Sequence, residues 1–459
     1  MIVHNKGKDE PRERGFEVLL HNRSFALLWI SQIFSQTAQN ATYFVQMVLI
    51  EEITASSTQM SLMIVAFSLP PLLFSTISGV LIDRFSKKTI LLACAFSRVI
   101  LIASFIPIRH ALVGGPLMLA LYGLTFVAST IGQLSDPAES ATASLLVERR
   151  YLLMANSLFH MLFTTTQLFG MLLFAPFLVK LGGVDFAFAV IALSYLITAT
   201  LIAFIQVREI RREQYLDQRT ALNRILSDLS EGWTFIRTQP RVRIAIAHLG
   251  LVSFLVISVA SLAPGFAARV LGRAPSDALY IFLPAGIGML LSTFLLGRFG
   301  HHVAREKLIH GGFAVGGMAI LALALVVWGR GMPGRPALGP ITGTTIKQIT
   351  LFSVLLGSAM TVAAISAQTA LQESTPPRLR GRVIAVQFLT TSAASLPPML
   401  FIGNMADRVG IPPVILLIAT VVLLWAVVNV RYGSTARIET VPKWQPVPGE
   451  QPTDPPDES

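Results

Sequence analysis

Gly79-Val80-Leu81-Ile82-Asp83-Arg84-Phe85-Ser86-Lys87-Lys88 sets one acid and three cations between two long apolar runs, 53–82 and 89–108. A bilayer crossing needs about 20 apolar residues, and both runs supply them. Charge is costly in hydrocarbon, so a charged turn between two such runs belongs at a membrane surface. Arg84, Lys87 and Lys88 assign that surface to the cytoplasmic side, where positive charge accumulates.

Ten more runs of similar character complete a set of twelve: 24–50, 111–135, 151–179, 186–207, 244–268, 278–297, 308–329, 348–372, 383–406 and 409–430. With 53% of residues hydrophobic and 13% charged, the chain reads as an all-α membrane protein. A soluble enzyme is excluded. Of the 36 Lys and Arg, alternating loops place 27 on the side of the N-terminus and 8 on the other, with Arg98 inside a span. That bias puts both termini in the cytoplasm, predicts a multi-pass protein of the cytoplasmic (cell inner) membrane, and explains the net charge of +11 without a nucleic-acid partner. The single cysteine, Cys94, falls in the third span and allows no intrachain disulfide.

The organisation predicted is a cytoplasmic segment 1–23, a six-helix bundle 24–207, a cytoplasmic linker 208–243, a second six-helix bundle 244–430 and a disordered cytoplasmic tail 431–459. In the linker, Leu222, Ile225, Leu226, Leu229, Trp233 and Ile236 follow helical spacing, which predicts an amphipathic helix lying in the inner interface. The halves echo each other: Ile82-Asp83-Arg84-Phe85 is answered by Leu296-Gly297-Arg298-Phe299, with the acid replaced by glycine. Two pseudo-symmetric six-helix bundles are the build of repeat-based transporters.

The pattern Gly-x-Leu-x-Asp-Arg-x-x-Lys-Lys over 79–88 resembles the signature loop between helices two and three of the major facilitator superfamily. Asn22-Arg23-Ser24-Phe25 with Trp29 and Gln32 resembles the opening of its enterobactin-exporter and macrolide-efflux branch. So do Leu146-Val147-Glu148 running on to Asn156, Asp228-Leu229-Ser230-Glu231-Gly232-Trp233, Leu379-Arg380-Gly381-Arg382-Val383 and Ala406-Asp407-Arg408-Val409-Gly410. The matches cover both halves. Four departures stand against proton-coupled drug export: Gln39 where an acid is frequent, Ser86 where the loop usually has glycine, no arginine in 111–135, and Ala175-Pro176 for a Gly-Pro pair.

Span one carries Gln32, Gln36, Gln39 and Gln46 on one face with Tyr43 among them. A polar stripe in a membrane helix faces protein or water. The expectation is one wall of a substrate cavity near mid-membrane, joined by Gln133 from span four and by Thr361 and Gln368 from span ten; interhelical hydrogen bonding is the plainer alternative. Arg98 needs a partner, and depth-matching of spans three and four nominates Asp136. A carboxylate out of water can load and release a proton, so Asp136 is also the candidate for proton coupling. Glu139, one turn further along, is expected to meet Lys87.

The family resemblance implies a conformational latch made by Gly79, Asp83, Arg84 and Lys87, with Glu139 and the start of helix eleven at Arg382. Loop capping and topology signalling are the alternative for these residues. His160 and His248, alone in their spans, read as hydrogen-bonded core residues, and His301-His302 as a loop pair. No metal-ligand spacing, nucleophile triad or phosphate loop is placed to work, so no enzyme activity, cofactor or metal is expected.

The function expected is a secondary active transporter, an efflux system or antiporter exporting a small amphipathic, drug- or siderophore-like molecule by alternating access. Its partners would be that substrate, the bilayer and protons, and it would act as a monomer. The alternatives are an importer or lipid-moving protein of the same fold, and a transport-inactive receptor or scaffold.

Overall fold

Asn22 starts the first helix by accepting hydrogen bonds from the backbone N–H of Ser24 and Phe25, at 3.1 and 3.2 Å. The helix it caps, α1 (Arg23–Thr54), ends where Ala55 turns left-handed at φ 45°. The computed structural model describes residues 21–148, 151–207, 218–299, 303–328 and 342–433. Every regular element among them is helical. In order follow α2 (Ser57–Arg84), α3 (Lys87–Ala111), α4 (Gly114–Leu146), α5 (Leu152–Phe169), α6 (Ala175–Ala203), α7 (Gln218–Thr238), α8 (Pro240–Gly265), α9 (Leu279–Phe299), α10 (Arg305–Val326), α11 (Gly343–Glu373), α12 (Arg380–Val409) and α13 (Ile411–Gly433).

A π turn, Gly170–Phe174, joins α5 to α6 without a break, and α6 is interrupted at Gly183, where φ is 78°. The first part of α6 therefore completes span five and the remainder is span six. Among the described residues ten helical stretches are long and apolar enough to cross a membrane by composition, and the stretch Met161–Ala203 holds this break. Dividing it, and adding α1, gives twelve spans. The amide stripe is what keeps α1 below an apolar threshold. An even number of crossings brings the start of α1 and the end of α13 to one face, called here the terminal face, with the far face opposite.

Side chains such as Leu119, 75% exposed, and Phe294, 68% exposed, point outward from the bundle. In water that would be a liability; facing lipid it is required. Inside, close approach of small residues does much of the packing. A Cβ on Gly170 would fall 2.7 Å from the Thr37 carbonyl oxygen, so the π turn lies against the backbone of α1. Gly288 and Gly357 bring α9 and α11 together in the same way, with the Ser358 hydroxyl donating to the Gly288 carbonyl at 3.0 Å.

Two expectations need correction. The stretch 79–88 is mostly helical: α2 runs to Arg84, and only Phe85 and Ser86 separate it from α3. Ser86 is the N-cap of α3, its hydroxyl accepting from the Thr89 N–H at 3.4 Å, so serine in place of glycine has a local purpose. The linker helix α7 does not simply lie in the interface. Its second half docks on the start of α12, with Ile236 buried, Glu231 paired to Arg382, and a Cβ on Gly232 falling 3.0 Å from the Arg382 carbonyl oxygen. Trp233 stays 40% exposed beneath the Arg237 guanidinium. The side chains of Leu222, Ile225, Leu226 and His160, together with His301, His302 and the tail beyond 433, lie outside the described residues.

Candidate functional site

On the terminal-face side of the first six spans a cavity of about 310 Å³ is lined by Gln32 and Gln36 from α1, by Asp136, Glu139, Ser140 and Ala143 from α4, and by Phe159, Leu162 and Phe163 from α5. Helical spacing creates it. Gln32 and Gln36 are one turn apart, as are Asp136 and Ser140, and Glu139 and Ala143. Asp136 is open to the cavity and accepts a 3.3 Å hydrogen bond from the Ser135 hydroxyl. Glu139 is 7% exposed, with the Gln32 amide beside it. The walls thus offer two carboxylates, two amides and two aromatic rings.

Behind this cavity Arg98 is 4% exposed. Its guanidinium donates to the Ser35 hydroxyl at 3.3 Å and to the Gln39 amide oxygen at 3.2 Å, and it lies 5.4 Å from the centre of the Tyr195 ring. Gln39 in turn donates to the Tyr43 hydroxyl at 3.1 Å. The expected direct pair with Asp136 does not form. The carboxylates of Asp136 and Glu139 act on Arg98 through space, while its donors are met by a hydroxyl and an amide. Gly132 makes room for this arrangement, since a Cβ there would sit 3.3 Å from the guanidinium. The expected Lys87–Glu139 pair is absent too, because Glu139 turns into the bundle.

Gln32 and Gln36 therefore line the cavity, whereas Gln39 and Tyr43 belong to the layer that holds Arg98. Gln133 is on α4 but not on these walls. Thr361 donates to the Gly357 carbonyl of its own helix at 2.9 Å, and the Gln368 amide reaches Gln387 of α12 at 3.5 Å. The side chains of Gly79, Asp83 and Arg84 lie outside the described residues. Arg382 is in place at the start of α12, engaged with Glu231. Ser35, Tyr195, Phe159 and Phe163 were not anticipated; the Ser35 position, one turn from Gln39, was the available signal.

At the far face a second cluster joins the two sets of six spans. Asp407, in the last turn of α12, accepts from the backbone N–H of Ser57 at 2.7 Å and of Thr58 at 2.9 Å, and from the hydroxyls of Ser56 and Thr58, each at 2.7 Å. It caps the N-terminus of α2 from the other half of the chain, where a negative charge is favoured. Arg269 bridges Asp407 at 3.1 Å and the buried Glu51 at 3.1 Å, and reaches the Ser57 hydroxyl. Lys180 and Asp277 add a second link at 2.6 Å. Phe44 and Phe282, one from each half of the chain, also meet edge to face.

Two sets of spans clamped together at one face, with an acid-lined cavity on the terminal-face side of the first set, have the build of a membrane transporter. Residues 28–396 match the family model of the Major Facilitator Superfamily, and the chain belongs to that family. It is similar to an uncharacterized MFS-type transporter, YfiS, of Bacillus subtilis (strain 168), with 24% identity over 361 residues, 78% of this chain and 81% of the relative. In fold it is similar to the nucleoside transporter NupG, with TM-score 0.66, 12% identity, and coverage of 90% of this chain and 99% of that one. A bacterial homologue of the iron transporter ferroportin in its inward-facing state gives TM-score 0.65, 14% identity, and coverage of 91% and 99%.

Proposed function

We propose that this protein is a secondary active exporter of a small amphipathic molecule, of the enterobactin-exporter and macrolide-efflux type. In this reading segments 24–207 and 244–430 rock against each other in the cytoplasmic membrane, with both termini and the linker inside. The carrying observation is the pairing of the open cavity near the terminal face with the Asp407 clamp at the far face. Those are the two ends that alternating access must open in turn. With the termini inside, the state described is inward-facing, ready to load from the cytoplasm.

The cavity chemistry supports the substrate class. Phe159, Leu162 and Phe163 give an apolar wall, while Gln32, Gln36, Asp136 and Glu139 give hydrogen-bond acceptors. A molecule with an apolar body and a basic or hydroxyl-rich edge fits both. Asp136, in contact with the cavity, is where a proton and such a substrate would compete, which is the minimal requirement for coupling one to the other.

Inverted membrane vesicles test this. With an imposed proton gradient, at least one member of a labelled panel of amphipathic compounds accumulates inside vesicles that contain the protein, and accumulation collapses with the gradient. Accumulation only in right-side-out vesicles would make the protein an importer, and accumulation without a gradient would remove the proton. Topology has its own check. Reporter fusions after Gly183 read as external and fusions after Lys88 as cytoplasmic; an internal reading at Gly183 breaks the assignment.

A further inference from the structure

At the far face Glu51 and Asp407, from opposite halves of the chain, share one cation, Arg269. The sharing is unequal. Asp407 accepts hydrogen bonds from residues 56–58 and from Arg269, and its side chain stays 24% exposed. Glu51, just past the apolar run 24–50, is 3% exposed, and neither of its side-chain oxygens accepts a hydrogen bond among the described residues. The guanidinium explains the difference. One terminal nitrogen donates to Asp407 and the other to the Ser57 hydroxyl, which leaves only Nε for Glu51. Nε stands 3.1 Å from the carboxylate, within ion-pair reach, but its N–H is not aligned on it.

Among the described residues no other cation is placed to help. Asp277, on the short turn Pro275–Ala278 that packs against α1, takes Lys180 at 2.6 Å and Arg273 at 4.0 Å. Next to Glu51 in sequence, Glu52 faces Arg109 at 3.8 Å. On α12 Arg408 is exposed and donates to Asn404 at 3.0 Å. The start of α2 brings no charge, and its donors are already held by Asp407. The charges acting on Glu51 are therefore Arg269, which favours the anion, and Asp407, which opposes it.

A buried carboxylate with no hydrogen-bond donor and only part of a cation is poorly compensated as an anion. Two acids around one cation are neutralised by that cation and one proton together. Asp407, ringed by donors, is the better anion, so the proton belongs on Glu51. We propose that Glu51 is a proton-binding site at the far face, and that it holds its proton more tightly when that face is closed than when it is open. Opening parts the halves, and water then supplies the donors that the closed cluster lacks. A group with the higher proton affinity in the closed state stabilises that state at low pH, and this contribution is lost as pH rises through the closed-state midpoint. Acid at the far face therefore favours its closure. With the termini inside, this is acid outside the cell, and loading Glu51 favours return to the state described. That direction rests on the exporter reading above; the proton site does not.

The test needs no transported compound. Spin labels are placed on Val113→Cys and Trp328→Cys, two exposed positions on opposite halves at the far face, in a Cys94→Ala background. The distance between them is followed in lipid nanodiscs from about pH 5 to about pH 9. The ratio of open to closed far face rises at least about tenfold across that range. Glu51→Gln, which copies the shape of the protonated acid, keeps the closed distance at every pH. Asp407→Asn leaves Glu51 with Arg269 to itself and moves the midpoint to lower pH. Asp136→Asn leaves the midpoint in place, so failure here is distinguishable from failure of the vesicle assay. A second readout does not depend on how far the face opens: the pH-difference infrared spectrum of the parent shows the carbonyl band of a protonated carboxyl, and Glu51→Gln lacks it. Absence of a Glu51-dependent band, a distance that ignores pH, or a transition that survives Glu51→Gln each overturns the proposal.

Discussion

Asp407→Ala is expected to open the far face. The side chain accepts four hydrogen bonds from residues 56–58 and a fifth from Arg269, all across the interface between the two sets of spans or at its edge. Hydrogen bonds to a charged group contribute about 1.5–3 kcal/mol each when one partner is removed. Even one of them, lost only in the state closed at the far face, shifts a two-state equilibrium by about ten- to a hundredfold. The reporter is Ser61→Cys in a Cys94→Ala background. Ser61 is fully buried in this state, with its hydroxyl on the Met399 carbonyl at 3.2 Å. Labelling by a membrane-impermeant maleimide applied at the far face rises at least about tenfold in the Asp407→Ala protein. Arg269→Gln raises it too, with a larger loss of folded yield, because Glu51 is then buried without its cation. Unchanged labelling in both would reduce the cluster to surface decoration.

The twelve spans were legible because bilayer thickness fixes a minimum apolar length, and that length is local information. The polar stripe of α1 was legible from spacing alone, even though its amides hide the helix from a purely apolar criterion. What depth cannot supply is rotation about the helix axis. Asp136 and Arg98 were matched by distance from the membrane surface, yet each residue turns a helix by about 100°, and Ser35, Gln39 and Tyr195 occupy the directions that count. Glu139 was sent to the surface by the same reasoning and is buried instead. The clamp was harder still. Asp407 stood in a quoted stretch without a role, because the helix end it caps lies about 350 residues away and leaves no local signature. Ser86 shows the converse. It was a departure from a family pattern, and ordinary N-capping accounts for it.

Within the Arg98 cluster the two carboxylates should separate by function. Arg98→Leu removes the cation, leaves the Gln39 oxygen and Ser35 hydroxyl without their donor, and strands the neighbouring negative charge. Breaking a buried charge arrangement of this kind costs about 3–5 kcal/mol, enough to cut folded yield severely. Lysine is a poor substitute, since its single ammonium group lacks the forked donors that reach Ser35 and Gln39 together. Asp136→Asn is different: the group is open to the cavity, so folded yield stays within about twofold of the parent, while gradient-driven accumulation of whichever compound the vesicle panel identifies falls at least about tenfold. The rescue experiment then asks which acid Arg98 neutralises structurally. Glu139, only 7% exposed, is relieved by water much less than Asp136, which is open to the cavity. Glu139→Gln should therefore restore the folded yield of Arg98→Leu, and Asp136→Asn should restore much less, as measured by detergent-solubilised monodisperse protein per cell. Rescue by Asp136→Asn alone would reverse the assignment, making Asp136 the structural partner of Arg98 and removing it as the group through which protons and substrate compete.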